Sequence, residues 1–260
     1  MGARAGYEPG TFCWTDLSAA EQAGASDFYC GLFGWEVHEL AMADGSTYSM
    51  MTLEGSPVAA IAQQPAQQRA AGVAPMWNSY VSVASADRAA DLAAELGATV
   101  HAPPFDVEQA GRMAVIQDPQ GAYFELWEPR MHFGAAVVNE PGAPVWNELS
   151  TPDQDAAAEF YGDLFGWTTQ EIAGMSGRYL SILNEGSDNG GILHGLMPPH
   201  DPPHWLVYFG VDEIESALIR LAALGGRVQR GPVEIPVARV AFVTDPQGAR
   251  FALYDGDLDP

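Results

Sequence analysis

The 260-residue sequence contains no lysine, and its 34 acidic residues stand against 11 arginines, a formal net charge of −23. A surface of that sign repels phosphate backbones and anionic lipid, and no basic stripe offsets it, so nucleic acid and membrane are excluded as expected partners. Long hydrophobic runs are also missing: none approaches the roughly 18 residues of a spanning helix. The opening "MGARAGYEPGTFCWTDL" has no apolar stretch of the signal-peptide kind, which places the protein in the cytoplasm as an expectation. Cysteine is scarce. Cys13 and Cys30 form no C-x-x-C pair, so two free thiols are the default. There is no glycine-rich nucleotide loop between a strand and a helix, no Gly-x-Ser-x-Gly elbow and no recognisable Cys–His spacing. No cofactor is expected.

Apolar residues make up 47% of the chain and charged ones 17%, the composition of a compact globular protein with material for two cores. The chain repeats itself. "CWTDLSAAEQAGASDFYCGLFGWEV" from Cys13 lies over "VWNELSTPDQDAAAEFYGDLFGWTT" from Val145, and "MWNSYVSVASADRAADLAAELGATV" from Met76 over "HWLVYFGVDEIESALIRLAALGGRV" from His204. "VIQDPQGAYFELWEP" from Val115 returns as "FVTDPQGARFALYDG" from Phe242. The offsets are 132, 128 and 127 residues, so the order is kept and only loops differ, which marks a duplication.

Each half reads as two β-α-β-β-β units. "TFCWTDL" alternates as a strand, and Ser18 with Glu21 reads as a capping box opening a helix that ends near Leu32. Thr151, Pro152 and Gln154 read the same way in the second half, with proline at the first helical position. Strands are expected near Tyr48 to Leu53, Val58 to Ala62, Tyr80 to Val83, Tyr179 to Leu183, Gly190 to Leu193 and Val207 to Val211. Gly97 and Gly225 suit left-handed helix ends, and the Gly190-Gly191 and Gly225-Gly226 pairs read as turn or cap glycines. Each Asp-Pro-Gln-Gly is a hairpin turn. Phe28-Tyr29 and Phe160-Tyr161 sit at helical spacing and read as core. The segment Val137 to Pro144 is the natural junction between domains at 1–136 and 142–260.

With "DFYCGLFGW", "EFYGDLFGW" and both "DPQGAxF" segments, the sequence resembles the vicinal oxygen chelate superfamily of glyoxalases, bleomycin resistance proteins and dioxygenases. The resemblance spans nearly all of both halves. It implies an α+β protein of two tandem glyoxalase-like domains, each built of paired βαβββ modules forming an eight-stranded open cup. Metal-dependent members carry His, Gln or Glu ligands near the centres of the first and last strands. Those positions fall here on Trp14 and Trp146, on Asn78 and Leu206, and on Glu125 and Ala252. Of these Glu125 alone is a usual ligand, and a divalent ion wants three or four, so the expectation is a kept cup without a metal.

Strand alternation puts Trp14 with Asp16, and Trp146 with Glu148, on one face of each strand, and the resemblance implies that this face, which bears the family's ligand position, looks into each cup. The same argument adds Asn78, Tyr80, Glu125 and Trp127 to the first cavity, and Leu206, Tyr208 and Tyr254 to the second. Either the tryptophans line pockets for an aromatic small molecule, or they fill former sites as core. Asp16, Glu125 and Glu148 are either hydrogen-bonded structural acids or acid-base groups raised by desolvation, with the first half the better-equipped one. His38, His101 and His132 are scattered, while "LHGLMPPHDPPHW", with His194, His200 and His204, reads as a loop at a pocket mouth with Met197 as an adaptable lip. The resemblance extends to accessory and self-resistance proteins of actinobacterial antibiotic pathways, including anthracycline-like polyketides, which bind a product or intermediate. The rival is a superfamily enzyme, a lyase, isomerase or hydroxylase-like catalyst using a metal or Asp16 and Glu125. The sequence leaves open whether the two domains pack on each other or the chain forms a homodimer.

Overall fold

In the computed structural model, which describes residues 2–175, 177–194 and 202–257, the elements repeat half by half. The first half runs β1 (Phe12–Ala19), α1 (Gln22–Phe33), β2 (Glu36–Ala41), β3 (Thr47–Leu53), β4 (Ser56–Gln63), a short α2 (Ala66–Ala70), β5 (Met76–Ser82), α3 (Ala86–Glu95), β6 (Thr99–Val107), β7 (Gly111–Gln117) and β8 (Tyr123–Pro129). The second runs β9 (Pro144–Ser150), α4 (Gln154–Phe165), β10 (Thr168–Glu171), β11 (Tyr179–Asn184), β12 (Ser187–Leu193), β13 (His204–Gly210), α5 (Ile214–Ala223), β14 (Arg227–Ile235), β15 (Ala238–Thr244) and β16 (Arg250–Gly256). The strands form two open eight-stranded sheets, β2-β3-β4-β1-β5-β8-β7-β6 and β10-β11-β12-β9-β13-β16-β15-β14. The fold is α+β, with one cup per half. Two modules meet at the centre of each sheet, where β1 pairs antiparallel with β5 and β9 with β13. Among the described residues no helix is long and apolar enough to cross a membrane.

Three local expectations need correction. Ser18 is not a helix cap, because the β1 ladder still holds it against Ala62 and Met76. Glu21 caps α1 instead, its carboxylate accepting from the backbone N–H groups of Ala23 and Gly24 at 3.2 and 2.8 Å. In the second half Asp153 does this for Ala156, while the Thr151 hydroxyl turns to Gln120. Gly190 and Gly191 are not turn glycines but lie inside β12, paired with Ile182 and Ser181. The edge strands β2 and β10 gave no alternation to read, because every residue in them is exposed.

The two largest cores are shared between the halves, while a smaller buried cluster under each cup belongs to one half alone. Leu17, Phe28, Tyr29, Leu32 and Trp77 of the first half form one buried cluster with Phe209, Ile214, Leu221, Phe251 and Leu253 of the second. Ala90, Ile116, Phe124 and Leu126 form the other with Phe160, Tyr161, Leu164 and Trp205. The two sheets therefore stand back to back with the helices between them, and both cups face away from the shared cores.

The repeated motifs fasten that junction. The Asp118 carboxylate accepts from the backbone N–H groups of Gln120, Gly121 and Ala122 at 2.7–2.9 Å, and from the Tyr161 hydroxyl of the other half at 3.0 Å. Asp245 does the same for its own turn and for Tyr29. Each tyrosine in turn accepts an indole N–H at 2.9 Å, from Trp205 and Trp77 respectively. The glutamines reach across as well: Gln247 exchanges two hydrogen bonds with the backbone of Glu21, and Gln120 with that of Asp153. Trp35 and Trp167 of the two Phe-Gly-Trp segments donate to the carbonyls of Gly142 and Gly10. Buried polar groups are nearly always satisfied, and here that demand is met jointly by each turn and by partners in the opposite half.

Candidate functional site in the second cup

The strand register builds the same polar relay into both cups. In the first, Trp14 Nε1 donates to the Tyr48 hydroxyl at 3.0 Å, and Tyr48 donates to Asp16 at 3.0 Å. Tyr80 and Asn78 supply Asp16 with two further hydrogen bonds, at 2.9 and 2.8 Å. In the second, Trp146 Nε1 donates to the Tyr179 hydroxyl at 2.9 Å, and Glu148 receives the hydroxyls of Tyr208 and Tyr179. The ladders place Asn78 opposite Asp16 and Leu206 opposite Glu148, so the second carboxyl lacks the amide donor of the first. Tyr48 and Tyr179 were not among the sequence candidates. Their recurrence at the starts of equivalent strands, 131 residues apart, was the available signal.

The first cup is filled. Trp14, Asp16, Tyr80, Glu125 and Trp127 are each no more than 6% exposed. The chain after β8 folds over them: His132 stands edge-on to Trp14 with ring centroids 4.5 Å apart, and Trp127 Nε1 donates to the His132 carbonyl at 2.9 Å. Ala135 N–H donates to the Cys13 carbonyl, and the Tyr7 hydroxyl to that of Ala135. Burial pushes the His132 imidazole down to about 4, so it sits neutral in the plug. Asp16 is raised by burial, an effect its three donors oppose. Glu125 is held well above the usual carboxylate range by burial and then by Asp16, and its Oε2 has no partner.

A testable consequence attaches to Glu125. Its folded-state pKa lies above the ordinary value near 4.3, so the native state holds a proton that the unfolded chain releases. Its contribution is intact in acid and lost as pH rises. Glu125→Gln is expected to match the wild type at about pH 4 and to be more stable by about 1 kcal/mol or more at about pH 8, read by urea unfolding at both. Equal stabilities at the higher pH would show that Glu125 is ionised and compensated.

The second cup is open. A cavity of about 1280 Å³ is lined by Trp146, Glu148, Tyr179, Tyr208, Phe242 and Tyr254, and it continues past the second cup to Phe12, Cys13, Trp14 and Ala135 of the first half. Ala252 stands opposite Tyr208 where Glu125 stands opposite Tyr80, which removes the side chain that helps fill the first cup. Leu206 and Tyr208 are buried in the wall, whereas Trp146 and Tyr254 are half-buried. Burial raises Glu148 to about 7, against the donors Tyr208 and Tyr179. Gly191 makes the close approach of Tyr179 possible: a Cβ there would lie 2.0 Å from the Tyr179 hydroxyl. His194 lines this cavity and His204 begins β13, while Met197 and His200 lie outside the described residues.

A profile of the glyoxalase/bleomycin resistance protein/dioxygenase superfamily matches residues 12–126 and again 138–253. The chain belongs to this superfamily. Over its length it is 40% identical to CFP32 of Mycobacterium tuberculosis, provisionally named a glyoxylase, with 97% of both chains covered. It is 30% identical to the anthracycline biosynthesis protein DnrV of Streptomyces peucetius, covering 96% of this chain and 94% of that one. The Mn(II)-bound glyoxalase from Novosphingobium aromaticivorans superposes with a TM-score of 0.66 at 14% identity, over 96% of this chain and 83% of the other, a likeness of fold.

The residues present do not fit the divalent metal that superfamily enzymes carry. In the first cup the Asp16 oxygens are already taken by three donors, leaving one carboxyl, Glu125. In the second cup Glu148 is the buried carboxyl, and Asp188, His194, Glu234 and Asp257, which also line the cavity, do not converge with it into a group of three. Among the described residues no three His, Cys, Asp or Glu side chains converge. A divalent ion needs more donors than either cup supplies.

Proposed function

We propose that the second cup binds an aromatic or polycyclic small molecule without a metal, and that the chain is a cytoplasmic accessory or self-resistance protein in the biosynthesis of an anthracycline-like antibiotic. The observation that carries this reading is the cavity itself, with indole and phenol walls around a single buried carboxyl. Its volume of about 1280 Å³ exceeds that of an ordinary drug-sized pocket, which suits a fused-ring ligand. The likeness to DnrV over nearly the whole chain supports the pathway class. Trp146, Tyr208 and Tyr254 are then the contact residues, with Leu206 as apolar wall. Asn78, Tyr80 and Trp127, in the plugged cup, hold the scaffold, while Trp14, hydrogen-bonded to Tyr48, also borders the cavity from the first half.

One observation favours a second reading, a metal-free acid-base enzyme. Glu148, held at about 7 and facing the cavity, is matched to proton transfer at neutral pH, whereas Asp16 and Glu125 are sealed in the first cup. Native mass spectrometry of freshly purified protein, before and after adding Zn²⁺, Mn²⁺ or Fe²⁺, separates these readings from metal chemistry. The expected result is no stoichiometric metal and uptake of fused-ring aromatics. Trp146→Ala should weaken that uptake by about tenfold, and Trp127→Ala, away from the cavity, should leave it within about twofold in the folded variant. A metal that survives desalting would overturn the proposal. Conversion of the bound compound, abolished by Glu148→Gln, would select the enzyme.

A further inference from the structure

The duplication supplies an internal reference for what the carboxyl of each cup requires. Asp16, sealed from solvent, accepts three side-chain hydrogen bonds, from Tyr48, Tyr80 and Asn78. Glu148 stands at the same place in the same register and accepts two, from Tyr179 and Tyr208. The third donor's position is held by Leu206, which donates nothing. Cavity and missing donor occur in the same cup. A carboxylate has about four lone-pair positions, and a buried one is stabilised by each donor it gains.

Resting on the reading of the second cup as a ligand site, we propose that its ligand supplies the missing third donor. The ligand class is an aromatic compound with a free phenolic or enolic hydroxyl that donates to Glu148 while its rings lie against Trp146. A ketone or an O-alkylated ring of the same size cannot do this, since a carboxylate carrying two phenolic hydrogen bonds has only acceptor capacity left to offer. The site therefore discriminates a phenol from its methyl ether, which has no proton to donate, and the variants at Leu206 and Glu148 separate that lost hydrogen bond from the bulk of the added methyl. The titratable groups that bear on Glu148 are Tyr179 of β11 and Tyr208 of β13, both raised by burial and by the carboxylate, so they stay protonated donors.

The test compares 9-phenanthrol with 9-methoxyphenanthrene, titrated into the full-length protein at about pH 8, where an ordinary phenol is still protonated. Tryptophan fluorescence or calorimetry reads the affinity. The wild type is expected to prefer the phenol by on the order of 10–100-fold, the worth of a hydrogen bond to a charged group. Leu206→Gln would return the third donor to the protein, being one methylene longer than Asn78 as Glu148 is longer than Asp16. That variant should lose most of the preference while still binding the ether. Glu148→Gln serves as the second variant if the first does not fold, and should likewise bring the two compounds within about threefold. Equal binding of phenol and ether by the wild type would overturn the third-donor proposal and leave the pocket standing, as would a preference unchanged in both folded variants. Failure of both compounds to bind would overturn this proposal together with the ligand-site reading on which it rests.

Discussion

Alanine at Asp118 or at Asp245 is expected to cost about 3–5 kcal/mol of stability at either site, because each carboxylate closes its own turn and reaches into the opposite half. At Asp118 the loss removes an acceptor from three backbone N–H groups, of which Gly121 keeps the Asp118 carbonyl, and from the buried Tyr161 hydroxyl, which itself receives Trp205. Tyr161→Phe is the control. It removes one link and leaves the turn intact, so a loss of about 1 kcal/mol is expected. Urea unfolding followed by both far-ultraviolet circular dichroism and tryptophan fluorescence measures these values. The curves should stay single and coincident in every variant, since the two largest cores each combine a module from each half and losing one half would break both. Two separated transitions would show that the halves own independent cores, and a loss below about 1 kcal/mol in both Asp→Ala variants would remove the motif from the junction.

The sequence carried the architecture because duplication is a pattern of order, and order survives in the chain itself. The central strands and the helix ends at Gly97 and Gly225 followed from alternation and from residues that tolerate a left-handed backbone, and the resemblance supplied the eight-stranded cup and the inward faces of β1 and β9. What the repeat could not reveal is which modules share a core. Phe28 and Tyr29 read correctly as buried, yet nothing local says that Tyr29 reaches Asp245, 216 positions away. The Asp-Pro-Gln-Gly segments likewise read as turns, and their second role exists only in three dimensions. The helix starts went astray for a plainer reason: serine and threonine have strong capping preferences, but the strand ladder had already claimed Ser18. Within the cups, the tryptophans and carboxyls were legible by alternation. The difference between a plugged and an open cup was not, because it depends on His132 and Ala135 folding back over the first cup from outside its sheet.

Gly191→Ala is expected to damage the second cup more than its size suggests, by displacing the Tyr179 side chain that packs against the glycine. The added methyl would fall 2.0 Å from the Tyr179 hydroxyl and 2.5 Å from its ring carbon, so the phenol must leave its place beside Glu148. Tyr179 is anchored by Trp146 on one side and gives its hydrogen bond to the acid on the other, so both contacts are lost together. The first cup shows why glycine is needed only here: Asp16 is paired with Ala60 on its parallel neighbour, whereas the longer Glu148 is paired with Gly191. A carboxylate deprived of a donor holds its proton more tightly. The midpoint of Glu148, about 7 in the wild type, should therefore move up by about one pH unit in Gly191→Ala, read from the pH dependence of Trp146 fluorescence. Affinity for a phenol at neutral pH should fall by on the order of tenfold, because less of the acceptor is ionised and the cavity wall has shifted. Tyr179→Phe, which keeps Gly191 and deletes the same donor, should reproduce the upward shift. If it does while Gly191→Ala leaves the midpoint at the wild-type value, the glycine does not position the tyrosine. If neither variant moves it, Tyr208 alone sets the acidity of Glu148.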